Sequence, residues 1–87
     1  METRVAVIGV IVEDPSSVER LNRVFHEYAD AIIGRMGIPY RKRGINIISV
    51  AVDASQDIIN ALSGKIGRIP GVTAKTAYSS YVFPEGL

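Results

Sequence analysis

The chain has no cysteine and a single histidine. The first absence excludes disulfides, thiolate nucleophiles, iron–sulfur ligation and zinc–thiolate sites. The second leaves a transition-metal site short of nitrogen ligands within one chain. A dominant charge is missing too. Ten basic and nine acidic residues give a net charge of +1, too balanced for bulk attraction to nucleic acid or a membrane surface. No apolar run is long enough to span a bilayer. Val5–Val12 has eight residues, against the roughly 20 that a spanning helix needs. It has no small-residue cleavage site and is followed by Glu13 and Asp14, so it does not read as a signal peptide, and a cytoplasmic location is expected. There is no GxxxxGK[ST] phosphate loop. Serines are present, but His26 has no partner constellation for nucleophilic catalysis. These absences argue against an enzyme, and no cofactor is expected.

What is present is a pair of unusually apolar segments, Val5–Val12 (VAVIGVIV) and Ile45–Val52 (INIISVAV). A strand covered on one face alternates apolar and polar residues. These two alternate poorly, so both faces are expected to be covered. Two helices in an 87-residue chain can cover one face of a sheet only. A second copy of the chain is the simplest cover for the other. A domain of this size buries roughly 60–65% of its unfolded surface, a narrow margin that oligomerisation would widen. The expected homo-oligomer is a dimer or tetramer joined through the helix-free sheet face. The face would be Val5/Val7/Ile11 or Ala6/Ile8/Val10, whichever set points away from the helices.

Along the chain, a first strand is expected over Arg4–Val12. Asp14 reads as an N-cap and Pro15 as the first residue of a helix over Pro15–Asp30. Val18, Leu21, Phe25, Tyr28 and Ile32 recur at helical spacing, with Glu19, Arg23 and Glu27 opposite. Ile32–Ile38 reads as a weaker edge strand and Pro39–Gly44 as a turn. A strong strand follows over Ile45–Val52. Asp53, with Gln56 three residues on, reads as the capping box of a helix over Ala54–Gly67. Ile59, Leu62 and Ile66 mark its core face. Pro70-Gly71 is a turn, Val72–Tyr78 a last strand carrying Lys75, and Ser79–Leu87 a tail. The order β-α-β-β-α-β is that of an α+β, ferredoxin-like sandwich with sheet order 4-1-3-2 and both helices on one face. One domain is expected over residues 1–79, with a tail over 80–87. RNA recognition on such a sheet uses aromatics on the central strands, which have none here.

Few residues stand out as sites. Arg35, Arg41, Lys42 and Arg43 lie on and after the second strand. They fit an anion or ligand cleft at an interface, and equally a solvated hairpin tip that discourages edge pairing. Arg35 stands out because it lies inside an apolar strand, where a charge must reach solvent or be paired. Tyr40 beside them is a pocket candidate, whereas Tyr28 reads as core. Asp14, Ser16 and Ser17 form a secondary candidate at a helix N-terminus, with capping favoured over ligand binding. No metal site is expected. Ligand count favours a helix-flank role for His26, within reach of Asp30 at i+4.

The runs RVAVIGVIVED, HEYADAIIGRMGIPYRKRGINIISVAVDA and ALSGKIGRIPGVTAKTAYS together cover about Arg4–Ser79. They resemble a family of short proteins described as regulators of the iron-only hydrogenase system, most specifically in IIGRMGIPYRKRG. That family is similar to ACT-like domains and to the effector domain of the nickel-responsive repressor. The resemblance implies a ferredoxin-like fold, oligomers and effector binding between subunits. Where the repressor uses several histidines and a cysteine, this chain has His26 alone. Where amino-acid-binding ACT domains often carry glycine, its loop reads EDPSS. All 87 residues are used by one domain, so action through a protein partner is expected rather than direct contact with nucleic acid. The leading reading is a non-enzymatic oligomeric regulatory module that binds a small effector at a subunit interface. The alternatives are an assembly protein with no small-molecule ligand and a small enzyme whose residues the sequence does not assign.

Overall fold

The computed structural model describes residues 2–84. Four strands form one antiparallel sheet in the order β2-β3-β1-β4: β1 (Thr3–Val12), β2 (Ile32–Tyr40), β3 (Ile45–Ala54) and β4 (Val72–Phe83). Helices α1 (Val18–Glu27) and α2 (Gln56–Gly67) pack on one face of it. This is the expected ferredoxin-like, ACT-like architecture. The two most apolar strands are central, and the strands carrying Arg35 and Lys75 are the edges.

Strand periodicity sorts the side chains of β1. Ala6, Ile8, Val10 and Val12 are at most 1% exposed and face the helices. Val50 and Val52 of β3 join them, along with Leu21 and Phe25 of α1 and Ile59, Leu62 and Ile66 of α2. Burying each large aliphatic side chain contributes roughly 1.5–3 kcal/mol. The alternate set, Val5, Val7 and Ile11, points away from the helices, with Val7 and Ile11 43% and 41% exposed.

Several boundaries differ from the sequence reading. The α-helical part of the first helix is shorter, Val18–Glu27, between single 3-10 turns at Pro15–Ser17 and Ala29–Ala31. Tyr28 leaves the helical region (φ −106°, ψ 23°), which turns the chain toward β2. Asp53 does not cap α2. It remains in β3 opposite Val5, and Ala54 pairs with Arg4 and is buried. The cap therefore moves to Ser55, whose hydroxyl accepts from the Ile58 N–H at 3.3 Å. Gln56, displaced from its capping-box position, donates to Asn60 Oδ1 instead. β2 continues through Pro39 to Tyr40, since an edge strand tolerates the missing N–H.

β4 continues through Phe83, where a tail was expected, because Val82 and Phe83 pair with Arg4 and Thr3. The extension crosses a bulge opposite Arg4/Ala6. The rest of the expected tail, residues 85–87, lies outside the described residues. Glu27 does not pair along α1 but reaches across to Lys65 of α2 at 2.8 Å. That carboxylate raises the Lys65 pKa above its usual value. No helix among the described residues is long and apolar enough to cross a membrane.

Candidate functional site

The sequence candidates occupy three separate places. The first is a hollow of about 350 Å³ between α1 and the edge strand β2, lined by Asn22, Phe25, His26, Ala29, Ile32, Gly34 and Arg35. A bulge between Ile32 and Gly34 resets the alternation of β2, so Ile32 and Arg35 both fall on the helix side, opposite Val52 and Val50. Arg35 is thereby aimed at α1. Its guanidinium carbon lies 4.8 Å from the centre of the Phe25 ring, and its Nη1 donates to Asn22 Oδ1 at 3.2 Å. No carboxylate among the described residues pairs with it. His26, one helical turn beyond Asn22, lines the same hollow and makes no hydrogen bond with Asp30. No group of three or more potential metal-ligating side chains occurs among the described residues.

The second place is the hairpin tip. Arg41, Lys42 and Arg43 occupy the turn from β2 to β3, fully on the surface. The turn closes with Arg43 N–H donating to Tyr40 O and Gly44 N–H to Arg41 O. Gly44 takes φ +66°, a region that favours glycine. Tyr40 pairs with Ile45 and points to the helix-free face, with Met36 and Ile38. Arg35 and Tyr40 therefore lie on opposite faces. They are also five residue steps apart, roughly 16 Å along β2. The sequence reading joined them in one surface, and the structure does not bring them together. Their spacing already carried the signal, because residues an odd number apart on a regular strand face opposite ways.

The third place is the loop from β1 to α1, lining a smaller hollow of about 230 Å³. Asp14 Oδ1 accepts from both the N–H and the hydroxyl of Ser16, which holds its carboxyl below the usual carboxylate range. Ser17 is buried and donates its hydroxyl to Pro70 O, while Glu13 and Asp14 N–H donate to Gly71 O. Gly71 has φ +73°, and a Cβ there would lie 2.4 Å from the Asp14 Cβ. These contacts tie the loop to the turn before β4.

Sequence reasoning missed Asn22 and Phe25 as partners of Arg35. Asn22, His26 and Ala29 recur at i, i+4 and i+7, a polar and small-residue stripe beside the apolar one. It also missed the relief of the bare sheet face. There Gly9 leaves a hollow of about 320 Å³ bordered by Ile11, Ile47 and Lys75, while Met36 and Ile38 protrude. Tyr81 and Phe83, with ring centroids 4.9 Å apart, extend β4 beyond it.

Residues 4–76 match the model of the TM1266-like family, described as "Iron-only hydrogenase system regulator, putative". The chain belongs to this family. It is similar to the solved structure of the uncharacterized protein TM1266 from Thermotoga maritima, at 31% identity and a TM-score of 0.84, over 87% of this chain and 96% of that one. Two further structures share the fold. A formyltetrahydrofolate deformylase from Pseudomonas putida KT2440 has 11% identity and a TM-score of 0.63, over 88% of this chain and 29% of that one. An unknown protein from Galdieria sulphuraria has 20% identity and a TM-score of 0.61, over 94% of this chain and 48% of that one. The comparison with curated proteins finds no match.

Proposed function

We propose that this TM1266-like chain is a non-catalytic regulatory module of the iron-only hydrogenase system, cytoplasmic, and assembled from identical copies through the helix-free sheet face. The observation that carries this reading is the character of that face. Val7, Ile11, Met36, Ile38, Tyr40 and Ile47 are each 39–63% exposed on one side of the sheet. A contiguous exposed patch of large apolar side chains marks an interaction surface. The occupant is a second copy for two reasons. A two-fold contact must be self-complementary, and this face has both the hollow at Gly9 and the protruding Met36 and Ile38. The middle of the face is also apolar, with its charges at the periphery, Asp53 at the end of β3 and Lys75 on the edge strand, as suits an interface resembling a divided core.

The basic tip, Arg41, Lys42 and Arg43, is the surface offered to a protein partner, and its chemistry calls for an acidic one. A small effector fits at the subunit boundary. Light scattering at micromolar concentration tests the assembly, with a dimer or tetramer expected. A Val7→Glu, Ile47→Glu double variant should give a folded monomer. A monodisperse wild-type monomer would overturn the reading.

A further inference from the structure

We infer that the hollow between α1 and β2 binds a small organic carboxylate, with Arg35 as its anchor. The inference places the ligand within one chain, on the helix side of the sheet and not at the subunit boundary, and rests on the reading above only for the ligand's regulatory use. Four observations converge. Arg35 is held in place before any ligand arrives, stacked over Phe25 at 4.8 Å and bonded to Asn22 Oδ1 at 3.2 Å. A fixed guanidinium loses less freedom on binding than a solvated one. It has no carboxylate partner among the described residues, and none lines the hollow, so the rest of its planar N–H fork is unclaimed by acid. The bond from Arg35 also fixes the Asn22 amide. Its oxygen is committed, so the NH₂ end remains as a second donor, and His26 one turn away lines the same space.

The remaining walls are apolar or small: Phe25, Ala29, Ile32 and Gly34.

The chemistry of the ligand follows from this set. One guanidinium with an amide donor beside it matches the single charge and planar geometry of a carboxylate, which arginine takes through parallel hydrogen bonds. A phosphate dianion ordinarily draws on a helix N-terminus or a nest of backbone N–H groups, and neither lines this hollow. The apolar wall suits a hydrocarbon or aromatic body. At about 350 Å³ the space is at the lower end of small-molecule pockets, about 300–1,000 Å³.

Titration of the ¹⁵N-labelled full chain with benzoate and butyrate tests the site, with benzamide and inorganic phosphate as controls. The carboxylates should shift the Asn22, His26, Gly34 and Arg35 amide signals saturably in the millimolar range or below. Benzamide should bind about tenfold more weakly or worse, as expected when a charge-assisted pair is lost. Arg35→Gln should abolish the response. Ala29→Leu, which fills the hollow and leaves Arg35 unsubstituted, should abolish it too, so the outcome does not depend on one variant folding. The inference fails if neither carboxylate saturates these signals, if benzamide matches benzoate, if phosphate binds more tightly than both carboxylates, or if folded Arg35→Gln responds like wild type. Light scattering on the same sample records assembly independently. A carboxylate-binding monomer would sink the oligomer and spare this site, and a non-binding oligomer would do the reverse.

Discussion

The two faces of β1 differ in almost nothing but their surroundings. Ile8 and Val10 point into the helices and are 0–1% exposed, while Val7 and Ile11, their immediate neighbours, are 43% and 41% exposed. Both sets are aliphatic and of similar size. On one face, α1 and α2 supply Leu21, Phe25, Ile59, Leu62 and Ile66 as cover. On the other, the chain supplies nothing among its described residues. A strand with one wet face could carry threonine or lysine there at little cost, as β4 does with Thr73 and Lys75. That β1 carries valine and isoleucine on both faces is the physical argument for a second layer from outside the chain.

The sharpest way to break this comparison is to truncate the same strand on each face. Ile8→Ala should cost about 2–5 kcal/mol by chemical denaturation, the range for a fully buried aliphatic. If it costs no more than Val7→Ala, the faces are not distinct. Val7→Glu with Ile47→Glu should weaken self-association by about thirtyfold or more, the size of an interface hot spot, while the circular dichroism of the fold persists. Gly71→Ala disturbs the rim of the covered layer instead. Its positive φ and the 2.4 Å approach to Asp14 should cost about 1–3 kcal/mol, without changing oligomeric state.

The edge strand sharpens the contrast further. Arg35→Ala, on the helix side, should lose carboxylate binding and keep assembly. Tyr40→Ala, on the bare side, should weaken assembly and keep the ligand. Each should move the melting temperature by only a few degrees, as surface changes of about 0.5 kcal/mol do. The smallest effect belongs to Gly64→Ala in α2. A methyl there meets only the end of Arg68 at 3.8 Å, so a gain of about 0.5–1 kcal/mol is expected in thermal unfolding.

Much of the fold was readable because it rests on periodicity. The unalternating runs of β1 and β3 gave the central strands, and the arginine and lysine of β2 and β4 gave the edges. Asp14, Leu21, Phe25 and the Ile59, Leu62, Ile66 stripe kept their roles. The errors arose where tertiary pairing outweighed local preference. Asp53 is a good cap in isolation, but pairing with β1 kept β3 extended through Ala54, and Ser55 took over. Ser79–Phe83 carries no strong strand pattern, yet Thr3 and Arg4 offered it a partner. The candidate site was readable in composition and not in placement. Arg35 stood out as a charge in an apolar strand, but the Phe25 ring beneath it and the Asn22 amide beside it come from another element. No spacing along the chain announces such a meeting.

The first strand made is completed by the last. β1 lies between β3 and β4, and its join to β4 is locked by groups as far apart in sequence as Glu13 and Thr73, 60 residues away. Such non-local pairing is slow, because chain closure must precede the contacts that reward it. During synthesis β1 emerges before both of its neighbours and keeps an open edge and two apolar faces until β4 has followed it. Over that interval it is the segment most exposed to pairing with a neighbouring nascent chain. Yield on expression should therefore respond to whatever holds or hides β1 in the ribosome's vicinity, and a chain cut before β4 should aggregate rather than fold.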